Sequence, residues 1–348
     1  MRWLMFILLL AACGCGNSSD PKAPPAVSFD AAKPVRAELA VLEQVGLWEM
    51  DTSFVEHNAE TELTKTNHST ATMQVSWALN GHFLLLETQI NSQPKAYELV
   101  VKNMDTNDKV HPYRCTWFHD DGLVRGYAGQ WQPLQARMDW VPIYLPGSPQ
   151  GLDIKMTDIS TGPGKKQFSY QILQDKQLIA SGLFKARHAA NAAPPGGVGT
   201  PANEQLKRLG QAGMWNESQT LVEGGVIKDL ESVSRMRWSR GGKFLINEGV
   251  TDPAGTKAYF LWVKTWDVHD RVYRWAYFWQ DGHVDHFTGY WDAAKNLITW
   301  QCVYPEVLIE LREILVSPKE RKWTVEGHTP KGIVSTGSGS SHYQGPAK

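Results

Sequence analysis

The chain has 348 residues, 42% of them hydrophobic and 20% charged, a globular composition long enough for two ordinary domains. Its 35 basic and 36 acidic side chains leave a formal net charge of -1, which removes the overall electrostatic case for nucleic acid or an anionic membrane surface as partner. No Gly-x-Ser-x-Gly, Walker loop, His-Glu-x-x-His or dinucleotide fingerprint occurs, so the common motif-bearing enzyme classes find no support.

The N-terminus carries Arg2, an apolar run from Trp3 to Ala12, and then Cys13. Such a run suits the core of an export signal and is too short for a mature spanning helix. Leu10-Ala11-Ala12-Cys13 resembles the bacterial lipobox, which implies removal of residues 1–12 and lipidation of Cys13; an ordinary signal peptide with an unmodified cysteine is the alternative. Gly14 follows where an aspartate would signal inner-membrane retention. The resemblance therefore implies a cell-envelope lipoprotein held to the membrane through Cys13 only, at the outer membrane facing the periplasm in a Gram-negative host. Residues 13–35 have the Gly, Ser, Pro, Ala and Lys content of a solvated tether.

The next segments come in pairs, and a long-interval repeat decides the architecture. Leu39, Leu42, Gly46 and Trp48 recur as Leu206, Leu209, Gly213 and Trp215, the pattern of a short helix, its glycine end and a first strand. Trp77-Ala-Leu-Asn-Gly81-His-Phe83-Leu84-Leu-Leu-Glu87 returns as Trp238-Ser-Arg-Gly-Gly242-Lys-Phe244-Leu245-Ile-Asn-Glu248. Tyr97, Lys102 and Asp105 match Tyr259, Lys264 and Asp267. Tyr113-Arg114-Cys-Thr-Trp117-Phe118 with Asp121-Gly122 matches Tyr273-Arg274-Trp-Ala-Tyr277-Phe278 with Asp281-Gly282. Trp131 and Trp140 pair with Trp291 and Trp300. Short strands rich in Val, Tyr, Trp, Phe and Thr, broken by turns about every 8 to 12 residues, predict antiparallel β structure, and Asp-Gly between apolar runs predicts hairpins. Each module is long enough for roughly eight to ten strands, and closure into an up-and-down barrel would abolish exposed edges. A two-sheet sandwich is the rival.

The helix, the Gly-x-Trp start, the Gly-x-Phe-Leu strand and the aromatic strand ending in Asp-Gly resemble a bacterial family of uncharacterised lipocalin-like (calycin-type) domains. The resemblance implies an all-β fold of two tandem lipocalin-like barrels, each with a short N-terminal capping helix, over 36–188 and 203–328. Between them 189–202 reads as a Pro/Gly/Ala linker, and 329–348 as a disordered or partly ordered tail. The arginine that lipocalins place near the first-strand tryptophan falls at Arg187 in module one, with no evident counterpart in module two. There, Gly332-Ile-Val-Ser-Thr-Gly is also a weak match to the closing strand Leu178–Arg187.

Polar positions present in both copies are the candidate site residues. Alternation puts Phe83, Leu85 and Glu87 on one side of a strand, and Arg114 with Phe118 on one side of another; Phe244, Ile246, Glu248, Arg274 and Phe278 repeat this. If that side faces the barrel interior, Arg114 and Arg274 meet a ligand carboxylate through the planar guanidinium fork. The expected ligand-contacting set is then Arg114, Glu87, Trp117 and Phe118, with Arg274, Glu248, Tyr277 and Phe278. The plainer alternative is internal Glu87–Arg114 and Glu248–Arg274 pairs, or charges facing solvent. Asp105, Asp267, Asp121 and Asp281 read as turn residues. Cys115 and Cys302, at non-equivalent positions, read as buried thiols, with a cross-module bridge as alternative. His283-Val-Asp285-His286 lacks metal-ligand spacing on a strand, and no cofactor is expected, a haem at His119 or His111 being the minor alternative. The sequence thus predicts an exported binding protein for a small, partly apolar molecule. The alternatives are an envelope interaction module with filled barrels or, further off, a hydrolase.

Overall fold

The structure, a computed structural model, describes residues 29–31, 33–42, 44–57, 64–92, 94–143, 152–189, 199–251 and 258–347. Cys13, the expected signal, most of the tether and most of the linker lie outside the described residues. The strands are β1 (Asp30–Ala31), β2 (Gly46–His57), β3 (Thr64–Ala78), β4 (Phe83–Ile90), β5 (Ala96–Met104), β6 (Tyr113–Phe118), β7 (Val124–Gln132), β8 (Arg137–Ile143), β9 (Leu152–Gly162), β10 (Lys165–Gln174) and β11 (Gln177–His188). They continue as β12 (Gly213–Glu223), β13 (Val226–Trp238), β14 (Leu245–Thr251), β15 (Ala258–Asp267), β16 (Val272–Trp279), β17 (Val284–Asp292), β18 (Leu297–Val303), β19 (Leu308–Ser317), β20 (Glu320–Thr329) and β21 (Gly332–Gly345).

Two closed antiparallel barrels stand in tandem. β2 pairs with both β3 and β11, and β3 with β4, so β2 to β11 form a ring with the short β1 laid along β3. β12 to β21 close in the same way. The chain ending expected as a disordered or partly ordered tail is the closing strand β21. It escaped notice because its inward residues from Ser335 to Ser341 are Gly and Ser, with Tyr343 the large side chain that follows, so the strand carries little hydrophobic alternation.

One end of each barrel is closed by the segment before its first strand. In the first it is the 3-10 helix Ala37–Val41, in the second the single α-turn Glu204–Lys207, whose Asn203 side chain accepts from the Leu206 amide at 2.9 Å. Leu39 and Leu42, and likewise Leu206 and Leu209, enter the barrel cores. Trp48 and Trp215 donate their indole N–H to the carbonyls of Gln44 and Gln211 at 2.9 and 3.0 Å. Tyr113 and Tyr273 donate to Glu38 and Gln205 carbonyls in the two copies.

The barrels meet through a third apolar core. The outward side of β4 to β6, with Phe83, Leu85, Leu99, Val101 and Phe118, packs on Phe244, which directly precedes β14, and on Ile246, Leu261, Val263 and Phe278 from β14 to β16. These strands read as near-continuous apolar runs because both of their faces are buried. The Asp-Gly turns dock reciprocally: Thr106 N–H donates to the Asp281 carbonyl at 3.0 Å and Val268 N–H to the Asp121 carbonyl at 2.9 Å. Gly122 and Gly282 have φ of 88° and 95°, and a Cβ on Gly122 would lie 2.0 Å from the Trp266 carbonyl oxygen. Only glycine fits both demands. Around the rim, Arg237 pairs with Glu87 at 2.7 Å, Lys243 with Asp120 at 3.2 Å, and His82 stacks on Tyr259.

The Phe118 ring lies 6.0 and 6.4 Å from those of Phe244 and Phe278 across this contact. Phe118→Ala is expected to destabilise the protein by about 3–4 kcal/mol, measured by urea unfolding. An effect under about 0.5 kcal/mol, the range for a surface position, would mean that this face is not buried in solution.

Candidate functional site

Barrel 2 encloses a cavity of about 680 Å³, open between the hairpins at the end opposite its α-turn. Phe260, Trp262, Trp275, Tyr277, Trp279 and Phe287 form an aromatic wall, and Leu221, Val307, Val325 and Val334 line the approach to the mouth. The space exists because β21 contributes little volume. Its inward positions Gly337, Gly339 and Ser341 face Leu221, Gln219 and Glu217 across the ladder. At the matching register in barrel 1, Phe54, Phe168, Tyr170 and Phe184 form a four-ring cluster with centroid spacings of 5.4 to 6.3 Å. The corresponding residues of barrel 2 are Leu221, Trp323, Val325 and Gly339.

At the floor lies a buried charge cluster. Lys264 donates to Glu313 Oε2 at 2.7 Å, Arg321 to Glu313 Oε1 at 3.1 Å, and the Trp300 indole N–H to Glu313 Oε2 at 2.9 Å. The three charged side chains are 4 to 8% exposed. The Lys264 ammonium also sits 4.7 to 4.8 Å from the ring centres of Trp262, Trp275 and Trp300, and the Arg321 guanidinium 4.9 Å from that of Trp215. Burial works against ionised Glu313, but Lys264 and Arg321 outweigh it and hold its pKa down to about 2. Burial lowers the pKa of Lys264 despite the pull of Glu313. Glu217, facing the same space, goes the other way: its desolvation exceeds the help from Arg321 and Lys264, and its pKa is raised. Burial, then Glu217 and Asp285, push the Tyr277 phenol well above 10.

Nearer the mouth, buried Asp285 accepts from the Trp279 indole at 2.8 Å, from His283 at 2.8 Å and from the Tyr304 hydroxyl. Desolvation disfavours the His283 cation, yet the hydrogen bond and charge of Asp285 prevail and its pKa is raised. His286, on the opposite face of β17, lines a pocket of about 240 Å³ between the barrels; burial lowers its pKa to about 3.

Barrel 1 carries a related trio. Lys102 and Lys166 pair with Asp158 at 3.4 and 3.0 Å, beneath Trp140. Their charges hold the Asp158 carboxyl down against its burial. The void beside this trio is about 20 Å³. Of the polar positions repeated in the sequence, Lys102 and Lys264 alone lead into the barrels; their partners Asp158, Lys166, Glu313 and Arg321 escaped the sequence reading. The signal was available as Trp140 aligning with Trp300, after which Asp158 and Glu313 fall in step on the next strand.

The expected ligand set is largely relocated. Arg114, Phe118, Arg274 and Phe278 share the outward side, as the inward places go to Tyr113, Cys115, Trp117 and to Tyr273, Trp275, Tyr277. Phe118 and Phe278 are interface core. Arg114 pairs with Asp105 and Asp108, Arg274 with Asp267 and Asp270. The suggested Glu87–Arg114 and Glu248–Arg274 pairs do not form. In register Glu87 stands opposite Leu99 and Arg114 opposite Asn103, four residues and about 13 Å further along β5; β15 repeats the offset. Glu87 pairs with Arg237 and Glu248 with Arg235 instead. Tyr277 does line the cavity, and Trp117 packs inside barrel 1, stacked on His119 at 5.0 Å.

Arg187 is exposed and bound to Glu49; the arginine lying over a first-strand tryptophan is Arg321, in the second module. The four repeated aspartates cap turns: Asp105, Asp121, Asp267 and Asp281 each accept backbone N–H groups two or three residues ahead. Cys115 and Cys302 are buried and are not joined by a disulfide. Among the described residues no group of three or more His, Cys, Asp or Glu is placed to hold a metal ion.

No family model matches the chain, and no curated protein matches it. Among solved structures it is similar to a protein of unknown function of the DUF3598 family from Nostoc punctiforme, at 10% identity over 87% of this chain and 97% of that one, with a TM-score of 0.25. It is also similar to the S-type phycobiliprotein lyase CPES from Guillardia theta, at 11% identity over 41% and 92%, TM-score 0.28. A mutant of the vaccine antigen transferrin binding protein B from Haemophilus parasuis matches at 7% over 87% and 77%, TM-score 0.22. At TM-scores this low none of the three bears on what this chain does.

Glu313 ionises below its ordinary 4.5, so its contribution to stability is complete above about pH 4.5 and is lost as pH falls toward 2. Glu313→Gln, which leaves Lys264 and Arg321 buried without their carboxylate, is expected to lose about 3 kcal/mol at neutral pH and to flatten the acid limb. Thermal unfolding from pH 7 to pH 2 checks both.

Proposed function

We propose that barrel 2 is the working half of the chain and binds a small, largely apolar molecule in its interior. The observation that carries this reading is the aromatic cavity of about 680 Å³ with a charged floor, a volume and lining typical of small-molecule sites. Barrel 1 serves as its mount, since β4 to β6 back the wall formed by β14 to β16. The apolar outer faces that an interaction module would offer to another protein are turned against each other in that contact. With the lipobox-like Cys13, the reading is of an exported, lipid-anchored binding protein at the cell envelope, related to the calycin-type domains its motifs resemble.

Transplanting the four-ring cluster of barrel 1 tests the reading. The variant Leu221→Phe, Trp323→Phe, Val325→Tyr, Gly339→Phe is expected to weaken binding of the apolar fluorophore N-phenyl-1-naphthylamine by about tenfold or more, because occupied volume excludes it. Fluorescence titration and a thermal melt are read together. A stably folded variant that binds as well as the parent would place the binding surface elsewhere.

A further inference from the structure

At the floor of the barrel 2 cavity two cations share a single ion-paired carboxylate. Two cationic groups, Lys264 and Arg321, share one carboxylate, Glu313, which also receives the Trp300 N–H. Glu217, which lines the same space, has its pKa raised by burial and the Ser341 hydroxyl beside it. Close by, the buried Trp275 lines the cavity, and its indole N–H has no acceptor among the described residues. Buried donors without acceptors are uncommon and call for an explanation. In barrel 1 Lys166 donates to the Leu42 carbonyl as well as to Asp158, and the void described beside it measures about 20 Å³.

We propose that the ligand is an amphipathic monocarboxylate bound head-down, its carboxylate accepting from Lys264 and the Trp275 indole and its apolar body lying against Phe260, Tyr277 and Phe287. This deepens the reading of barrel 2 as the binding half and rests on it. One added carboxylate gives Lys264 and Arg321 an anion each, where a neutral ligand would leave them sharing Glu313.

The test compares dodecanoic acid with methyl dodecanoate as displacers of N-phenyl-1-naphthylamine from the full chain. The parent is expected to prefer the acid by about tenfold, the scale of one hydrogen bond to a charged group. Lys264→Met is expected to remove that preference, so that acid and ester displace the fluorophore equally. It leaves the Arg321–Glu313 pair in place, and a thermal melt reports its fold. Glu217→Gln, which cannot ionise, is expected to keep the preference. Equal displacement by acid and ester in the parent, a preference that survives Lys264→Met, or one lost in Glu217→Gln would overturn the inference. The parent comparison decides without any variant. If the naphthylamine itself does not bind, the cavity reading falls too; if it binds and the acid has no advantage, only the head-down carboxylate falls.

Discussion

The contact between the two barrels is the constraint on which the rest of the structure depends. A strand in a closed barrel ordinarily shows one apolar side to the interior and one polar side to water. Here β4 to β6 and β14 to β16 are apolar on both sides, so neither barrel can be soluble in isolation without covering an exposed patch. Each covers the other's. The inward residues are then free to differ, because the shape of the molecule is fixed from outside.

The two copies use that freedom in opposite ways. Both retain a lysine, an acidic residue and a second basic residue under a tryptophan at the closed end: Lys102, Asp158, Lys166 and Trp140, or Lys264, Glu313, Arg321 and Trp300. Above this shared base, barrel 1 carries Phe54, Tyr170 and Phe184, whereas barrel 2 carries Leu221, Val325 and Gly339. The difference in use follows from a few inward positions and not from a difference in fold. Barrel 2 also gathers buried polar groups, Asp285 with its three donors and the Glu217 acid, at two levels along an otherwise aromatic wall. An enclosed site of this kind makes each polar group expensive to leave unmatched.

The repeat, the two-barrel architecture and the capping segments were legible in the residues, because tryptophans, glycines and Asp-Gly turns recur in step. The assignment of faces was not. Phe83, Leu85 and Glu87 do share a side, as alternation requires, but alternation cannot say which side is inside when both are apolar. The continuous run Phe83-Leu84-Leu85-Leu86 was the clue that the strand is buried twice over. The charge cluster was half visible: Lys102 and Lys264 stood out as repeated, while Asp158 and Glu313 are different residue types and so did not register as a repeat. β21 was missed because strand propensity is a poor guide where the inward face must stay small. Arg114 and Arg274 drew attention as repeated charges, yet what repeats is a loop clamp, an arginine holding two aspartates of the preceding turn.

The reciprocal hydrogen bonds of Thr106 with Asp281 and of Val268 with Asp121 have one more consequence. Each module presents the same groups to the other across an approximate dyad, the arrangement of an isologous dimer, in which one patch is its own complement. A single module therefore carries both halves of the recognition, and the covalent join between the copies converts what would be a bimolecular equilibrium into an intramolecular one. Pairing is then set by effective concentration rather than by protein abundance. It holds at any dilution, while each sequence drifts separately.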